Sequence, residues 1–220
     1  MLISLKFWKH LKPKNVVFVI LMLQMYIVIG QKKVIVIDPG HGGNDIGAIG
    51  INNLKEKDVV LNIAKEIIQL NKTILNNEFD IYLTRYKDTL ISLSERTRLA
   101  KRLKADVFIS LHCNSSKFNA KGIEVYVHNS DKPNTKHSIE LGLSLINEST
   151  QKIGFIKRGI KFNNLQVLRE TAICPAVLVE IGFMTNKDEV DYFLKTKNLT
   201  ALALAVLLGI ANNSNYERVF

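Results

Sequence analysis

Short apolar runs alternate along this chain with amphipathic stripes, and that alternation restricts its fold more than any other feature. Runs at 33–38 (KVIVID), 79–84 (FDIYLT), 106–112 (DVFISLH), 122–128 (GIEVYVH), 165–168 (LQVL) and 176–181 (AVLVEI) have strand length. Several are apolar without a break, as strands covered on both faces are. Between them the period becomes helical. In 56–76, Val60, Ile63, Ile67, Leu70 and Ile74 recur at three and four residues and form one stripe. Residues 92–104 put Leu93, Arg96, Ala100 and Leu103 on one face, and 136–149 and 187–196 read as further helices. The segment 199–211 is apolar nearly all round, which predicts a buried closing helix. Together these elements predict an α/β fold: a single domain with a mostly parallel twisted sheet of about six strands flanked by helices. At 220 residues the chain has room for one such domain with a sizeable core.

The first thirty residues follow a different rule. "MLISLKFWKHLKPK" is basic, and "NVVFVILMLQMYIVIGQ" is apolar apart from Gln24. This order is that of an export signal, and Val28-Ile29-Gly30 offers a weak small-residue cleavage site. The apolar stretch is also close to the lower limit for a membrane span, so a retained anchor is the alternative. Either reading divides the chain into a leader at 1–30 and a domain at 31–220, exported to the periplasm or cell envelope.

The net charge is +10. Four leader lysines account for part of it, leaving 26 basic and 20 acidic residues and a net +6. Charge of that sign suits an anionic polymer such as cell wall or nucleic acid. It is dispersed and no nucleic-acid recognition motif accompanies it, which argues against nucleic acid. Cys113 and Cys174 are too few for a disulfide framework and are not spaced as a zinc or redox motif. One disulfide between them stays open for an exported chain.

The run "VIVIDPGHGG" ends a predicted strand in a glycine-rich loop, where α/β proteins place ligands. A dinucleotide fingerprint begun at Gly40 needs glycine where Asp45 stands, and no G-K-[ST] tripeptide occurs, so the phosphate reading fails. Metal chemistry fits better. His41 and His112 both lie at predicted strand ends, which a parallel sheet would bring to one edge. His128 and His137 fall in or near a polar loop and read as solvated. Glu56 reads either as a third ligand or as the partner of Asn53 in a capping box at a helix start. Glu180 lies in a run so apolar that its charge is costly unless paired or functional. Burial would raise its pKa, as a general base needs.

"VIVIDPGHGGNDIGAIG", "LTRYKDTLISLSERTRLA", "ADVFISLHCNSS" and "PAVLVEIGFMTN" together resemble the zinc-dependent N-acetylmuramoyl-L-alanine amidases of the amidase-3 type, in order from about residue 33 to 212. The resemblance implies that His41, Glu56 and His112 ligate one Zn²⁺ per chain and that Glu180 is the catalytic carboxylate. It implies peptidoglycan as substrate and hydrolysis of the amide between N-acetylmuramic acid and L-alanine. A zinc peptidase on stem peptides and a non-catalytic wall-binding protein are the alternatives. Two positions depart from the family: Asn53 stands where a glycine is usual, and Lys101 where asparagine is frequent. Some members carry a helical insertion that blocks the zinc until a protein activator moves it. The roughly fifty residues between 128 and Glu180 leave no room for one beyond a single helix. The glycines around His41 would then clear space for metal and muropeptide. Asp38 reads as an orienting group or a turn cap. Arg85, Arg96 and Arg169 read as grips on peptide carboxylates or as structural ion pairs. Glu170 is a rival acid, and Cys113, beside a ligand but facing away, a packed thiol.

Overall fold

Six strands form the sheet: β1 Val34–Pro39, β2 Asp80–Leu83, β3 Val107–Asn114, β4 Ile123–Val127, β5 Lys157–Phe162 and β6 Ala176–Phe183. The computed structural model describes residues 17, 18, 31–130 and 134–219, with side chains to Ser214, so the leader expected at 1–30 lies almost wholly outside the described residues. From Lys33 onward the chain forms one unit. The strand order is β2-β1-β3-β6-β4-β5. β2, β1, β3 and β6 run parallel, β4 is antiparallel to β6, and β5 is parallel to β4. The reversal at β4 has a simple cause. Only residues 115–122 join β3 to β4, and a parallel crossover needs a dozen or more.

One expected strand is misplaced. Residues 165–168 do not form a strand; Gln166–Glu170 is a short helix, and the sixth strand is Lys157–Phe162. β5 is an edge strand paired only with β4, so its sequence KRGIKF is polar and escapes an apolar-run criterion. The run LQVL is apolar because Val167 and Leu168 bury one helical turn against Val36, Phe108 and Ala176.

The helices are α1 Glu56–Thr73, α2 Leu93–Leu103, α3 Asn134–Ile153, α4 Gln166–Glu170, α5 Lys187–Phe193 and α6 Thr196–Val219. α1, α3 and α6 cover one face of the sheet, where Ile35, Ile37, Ile109, Leu111, Val177 and Val179 meet Val60, Ile63 and Ile67 of α1 and Leu207 and Ile210 of α6. The closing helix predicted at 199–211 is α6, buried through Leu202, Ala203, Val206 and Leu207. α2 and α4 cover only part of the opposite face, over Val36, Phe108 and Leu178. Cys113 belongs to the first core and Cys174 to the second, so the sheet separates them and both are free buried thiols.

Candidate active site

β1 and β3 are adjacent and parallel, with Pro39 opposite Leu111, so both strands deliver the residues that follow to the same edge. Gly40 continues the pairing by donating its N–H to the Leu111 carbonyl at 2.9 Å. The chain then turns sharply, and His41 takes φ 60, a left-handed angle uncommon for a side chain of its size. Arg96, at 3% exposure, holds this turn by donating to the carbonyls of Pro39 and His41 and to Asp38 Oδ1 at 2.6 Å. Arg85 holds the other side, donating to the carbonyls of Pro39, Gly40 and Lys57.

Glu56 enters from the first residue of α1. Its Oε1 lies 3.0 Å from His41 Nε2 and 2.9 Å from His112 Nδ1, and it accepts from the Cys113 N–H at 2.9 Å. Its Oε2 accepts from the Ala48 N–H at 2.8 Å. The expected capping box is absent: Lys55 is the N-cap, no side chain caps α1, and Glu56 spends its carboxylate on the site. Asn53 takes φ 57, the left-handed angle that a glycine at this position would also supply.

A neutral His41 that donates Nδ1–H to Asp45 Oδ1 at 2.8 Å turns its Nε2 lone pair toward Glu56, and the protonated ring donates from both nitrogens. His41, Glu56 and His112 therefore aim three donor atoms into one space, all within 4.8 Å of one another. Two nitrogens facing one carboxylate oxygen call for a proton or a cation between them, and a His₂Glu set with an open side suits a divalent metal. The histidine side chains remain 22% and 20% exposed, so this space opens to solvent. Burial pulls the His41 pKa down, but its bonds to Glu56 and Asp45 outweigh this and raise it. Burial pushes Glu56 up, yet the His112 and His41 bonds hold it well below the usual carboxylate range.

The glycines make room for the donors themselves. A Cβ on Gly40 would lie 2.3 Å from the His112 ring, and one on Gly47, at φ 67, would lie 2.5 Å from Glu56 Oε2 and 2.6 Å from His41 Cδ2. So the loop clears space first for its own side chains, before any metal or substrate.

Glu180 stands directly opposite His112 in the parallel β3–β6 register. Paired residues on neighbouring strands share a face and lie about 5 Å apart. Its Oε2 is buried and has no hydrogen-bond partner. Burial, helped by the Glu56 and Glu124 charges and opposed by His112 and His41, pushes its pKa up to about 7.

The other candidates lie elsewhere. Asp38 touches neither histidine side chain: it accepts from Thr84, Arg96 and Ser110, and acts on His41 only through Arg96. Arg169 is exposed and, among the described residues, bonds only Asn164 and makes no ion pair. Glu170 is bound to Thr97 and Gln166. Cys113 is buried, and burial pushes its thiol pKa well up. His137 pairs with Glu140, while His128 is half-buried rather than solvated, its Nδ1 enclosed without a partner. Asp45, the partner of His41, carried no signal in the sequence beyond its place four residues on. Its contact depends on the Gly42–Asp45 bridge that reverses the loop.

A family model described as N-acetylmuramoyl-L-alanine amidase (Amidase_3) matches residues 35–212. An endolysin of Bacillus phage SPP1 is 37% identical over 192 residues, spanning 86% of this chain and 68% of that protein. The sporulation-specific N-acetylmuramoyl-L-alanine amidase of Bacillus subtilis is 35% identical over 188 residues, 84% of this chain and 69% of that protein. Among solved structures, an N-acetylmuramoyl-L-alanine amidase of Clostridium difficile 630 is similar at TM-score 0.76 and 35% identity, covering 84% of this chain and 97% of that one.

Proposed function

The chain belongs to the Amidase_3 family of N-acetylmuramoyl-L-alanine amidases, and from that premise we propose that His41, Glu56 and His112 hold one zinc ion while Glu180 moves the proton. The enzyme is an N-acetylmuramoyl-L-alanine amidase acting on peptidoglycan. The bond cut is the amide between the lactyl carbonyl of N-acetylmuramic acid and the stem L-alanine.

The donor chemistry fits zinc. Two imidazoles and one carboxylate converge from three separate elements, and an unpartnered carboxylate stands in register beside them. Zinc bound there would supply Lewis acidity, giving a more acidic water and a more electrophilic carbonyl. Asp45 keeps His41 in the tautomer whose Nε2 is free to ligate. Ala48 and Cys113 hold both Glu56 oxygens by backbone N–H groups, fixing the carboxylate's direction.

Glu180 Oε2 takes the proton of the attacking water and returns it to the leaving amine of L-alanine. A carboxylate with a pKa near 7 can do both, since neither direction is steeply uphill at neutral pH. The unpartnered, buried Oε2 opposite His112 is the observation that carries this assignment. The site keeps a standing open side, with α3 packed against α6 and strands β4 to β6. The leader read at 1–30 supports action outside the cytoplasm, in the envelope. Mass analysis of digested peptidoglycan tests the reaction: paired lactyl carboxyl and L-alanyl amine ends support it, and new ends within the stem peptide contradict it.

A further inference from the structure

Glu124 of β4 is only 1% exposed and takes no part in the chemistry above. It stands opposite Glu180 in the antiparallel β4–β6 register, as His112 stands opposite Glu180 on the other side. His112, Glu180 and Glu124 thus form a row on one face of the sheet, with neighbouring strands about 4.8 Å apart. Glu124 is not a second acid, because its oxygens are saturated. Oε1 accepts from Asn114 Nδ2 at 2.7 Å and from the Tyr126 hydroxyl at 2.9 Å. Oε2 accepts from Arg158 Nε at 2.6 Å and from Lys161 Nζ at 2.7 Å. Burial works against its ionisation, and the Lys161 and Arg158 bonds overcome that.

One buried carboxylate here gathers two cations, so one positive charge is left over. Arg158 and Lys161 are 33% and 41% exposed, open to a ligand. The Arg158 guanidinium also lies over the Phe183 ring at 4.9 Å, three residues beyond Glu180. Its Nε is committed to Glu124, which leaves the edge that carries the two Nη groups. That edge makes no hydrogen bond among the described residues. A fixed guanidinium edge beside an ammonium matches a carboxylate. Edge-strand cations also deter strand pairing, but that task needs them solvated, not tethered to a carboxylate buried at a cost.

We propose that Arg158 and Lys161, held in place by Glu124, form a subsite for a free carboxylate of the stem peptide as it leaves the scissile amide. Glu124 is then a positioning residue, and Arg158 and Lys161 set specificity. The proposal rests on the amidase reading above and names which form of its substrate is preferred.

Calorimetry with the zinc-loaded full chain tests it. The probes are two stem tripeptides beginning at L-alanine, C-terminally amidated and joined through the side-chain carboxyl of the second residue, whose α-carboxyl is free in one and a carboxamide in the other. The wild type should bind the free acid about tenfold more tightly, a typical gain for a partly exposed charge-assisted contact. That preference should shrink as ionic strength rises. Arg158→Gln and Lys161→Met should each reduce it and together erase it, with affinity for the carboxamide unchanged. Glu124→Gln should weaken it by releasing both cations, and Arg158→Lys should keep part of it. A wild type without preference, or a double variant that retains it, overturns the proposal. Amide cleavage of peptidoglycan is assayed on the same samples. Its absence would contradict the amidase reading while leaving the peptide preference measurable in its own right.

Discussion

Glu180 lies inside an apolar strand, half-buried, with one oxygen unpartnered among the described residues, and its behaviour with pH follows from that placement. Burial lifts its pKa from the ordinary 4.5 to about 7. Below pH 4.5 the carboxyl is protonated in folded and unfolded chains alike and costs nothing. As pH rises from 4.5 to about 7 the unfolded carboxyl ionises while the folded one resists burying a charge, so stability falls over that range and levels off above it. Metal-free Glu180→Gln should therefore be more stable than the wild type at pH 8, by about 1–2 kcal/mol, and equal to it at pH 4. Urea titrations at the two pH values check this; equal stability at pH 8 would mean that the carboxyl is not strained by burial. Glu180 and His112 were legible as candidates in the sequence, because a polar group that interrupts or closes an apolar run is conspicuous. Asp45 was not, since its contact with His41 exists only once the loop has reversed. The arginines were legible as basic but not as to role. Arg85 and Arg96 are buried and tie down the loop that carries His41, whereas Arg169 is exposed and pairs with no acid among the described residues.

Between elements, the site depends on how the ends of β1 and β3 meet the start of α1. Gly40 is the tightest of these contacts, since any side chain there invades the His112 ring. Gly40→Ala should lower zinc affinity at least tenfold and cost about 1–3 kcal/mol through overpacking. Zinc competition with a chromophoric chelator and denaturant melts read the two effects separately. Arg96 is the buttress of the His41 turn, in a buried pair with Asp38. Arg96→Gln strands that carboxylate and should cost about 3–5 kcal/mol, measured by urea denaturation. The elements themselves were mostly legible. Helical stripes and continuous apolar strands mark buried faces, and five of the six strands announced themselves that way. β5 did not, because an edge strand that carries Lys157, Arg158 and Lys161 has no need to be apolar. The apolar turn at 165–168 reads as a strand in the sequence because a run of four residues is too short to show a period. The capping box at Asn53 and Glu56 failed for a different reason: the site claims the carboxylate that the pattern assigned to the helix end.

For the whole molecule, the three donors come from residues 41, 56 and 112 and meet only in the folded chain. A metal bound there stabilises the native state and not the unfolded one. Chelation should therefore lower the Tm by about 5–10 °C, the shift expected from roughly 3 kcal/mol in a domain of this size. His41→Ala should melt at the chelated temperature with or without zinc. The α/β architecture was readable from the alternation of periods, but the reversed β4 was not, since strand direction depends on a connection length that the apolar pattern does not mark. Whether zinc on His41, Glu56 and His112 works with Glu180 as the proton carrier can be measured in one sample. Glu180→Gln is loaded with zinc, its metal content measured, and its release of L-alanyl amine ends from peptidoglycan timed. One zinc per chain and a rate at least about a hundredfold below wild type are expected; one zinc per chain with cleavage at the wild-type rate would contradict the role of Glu180.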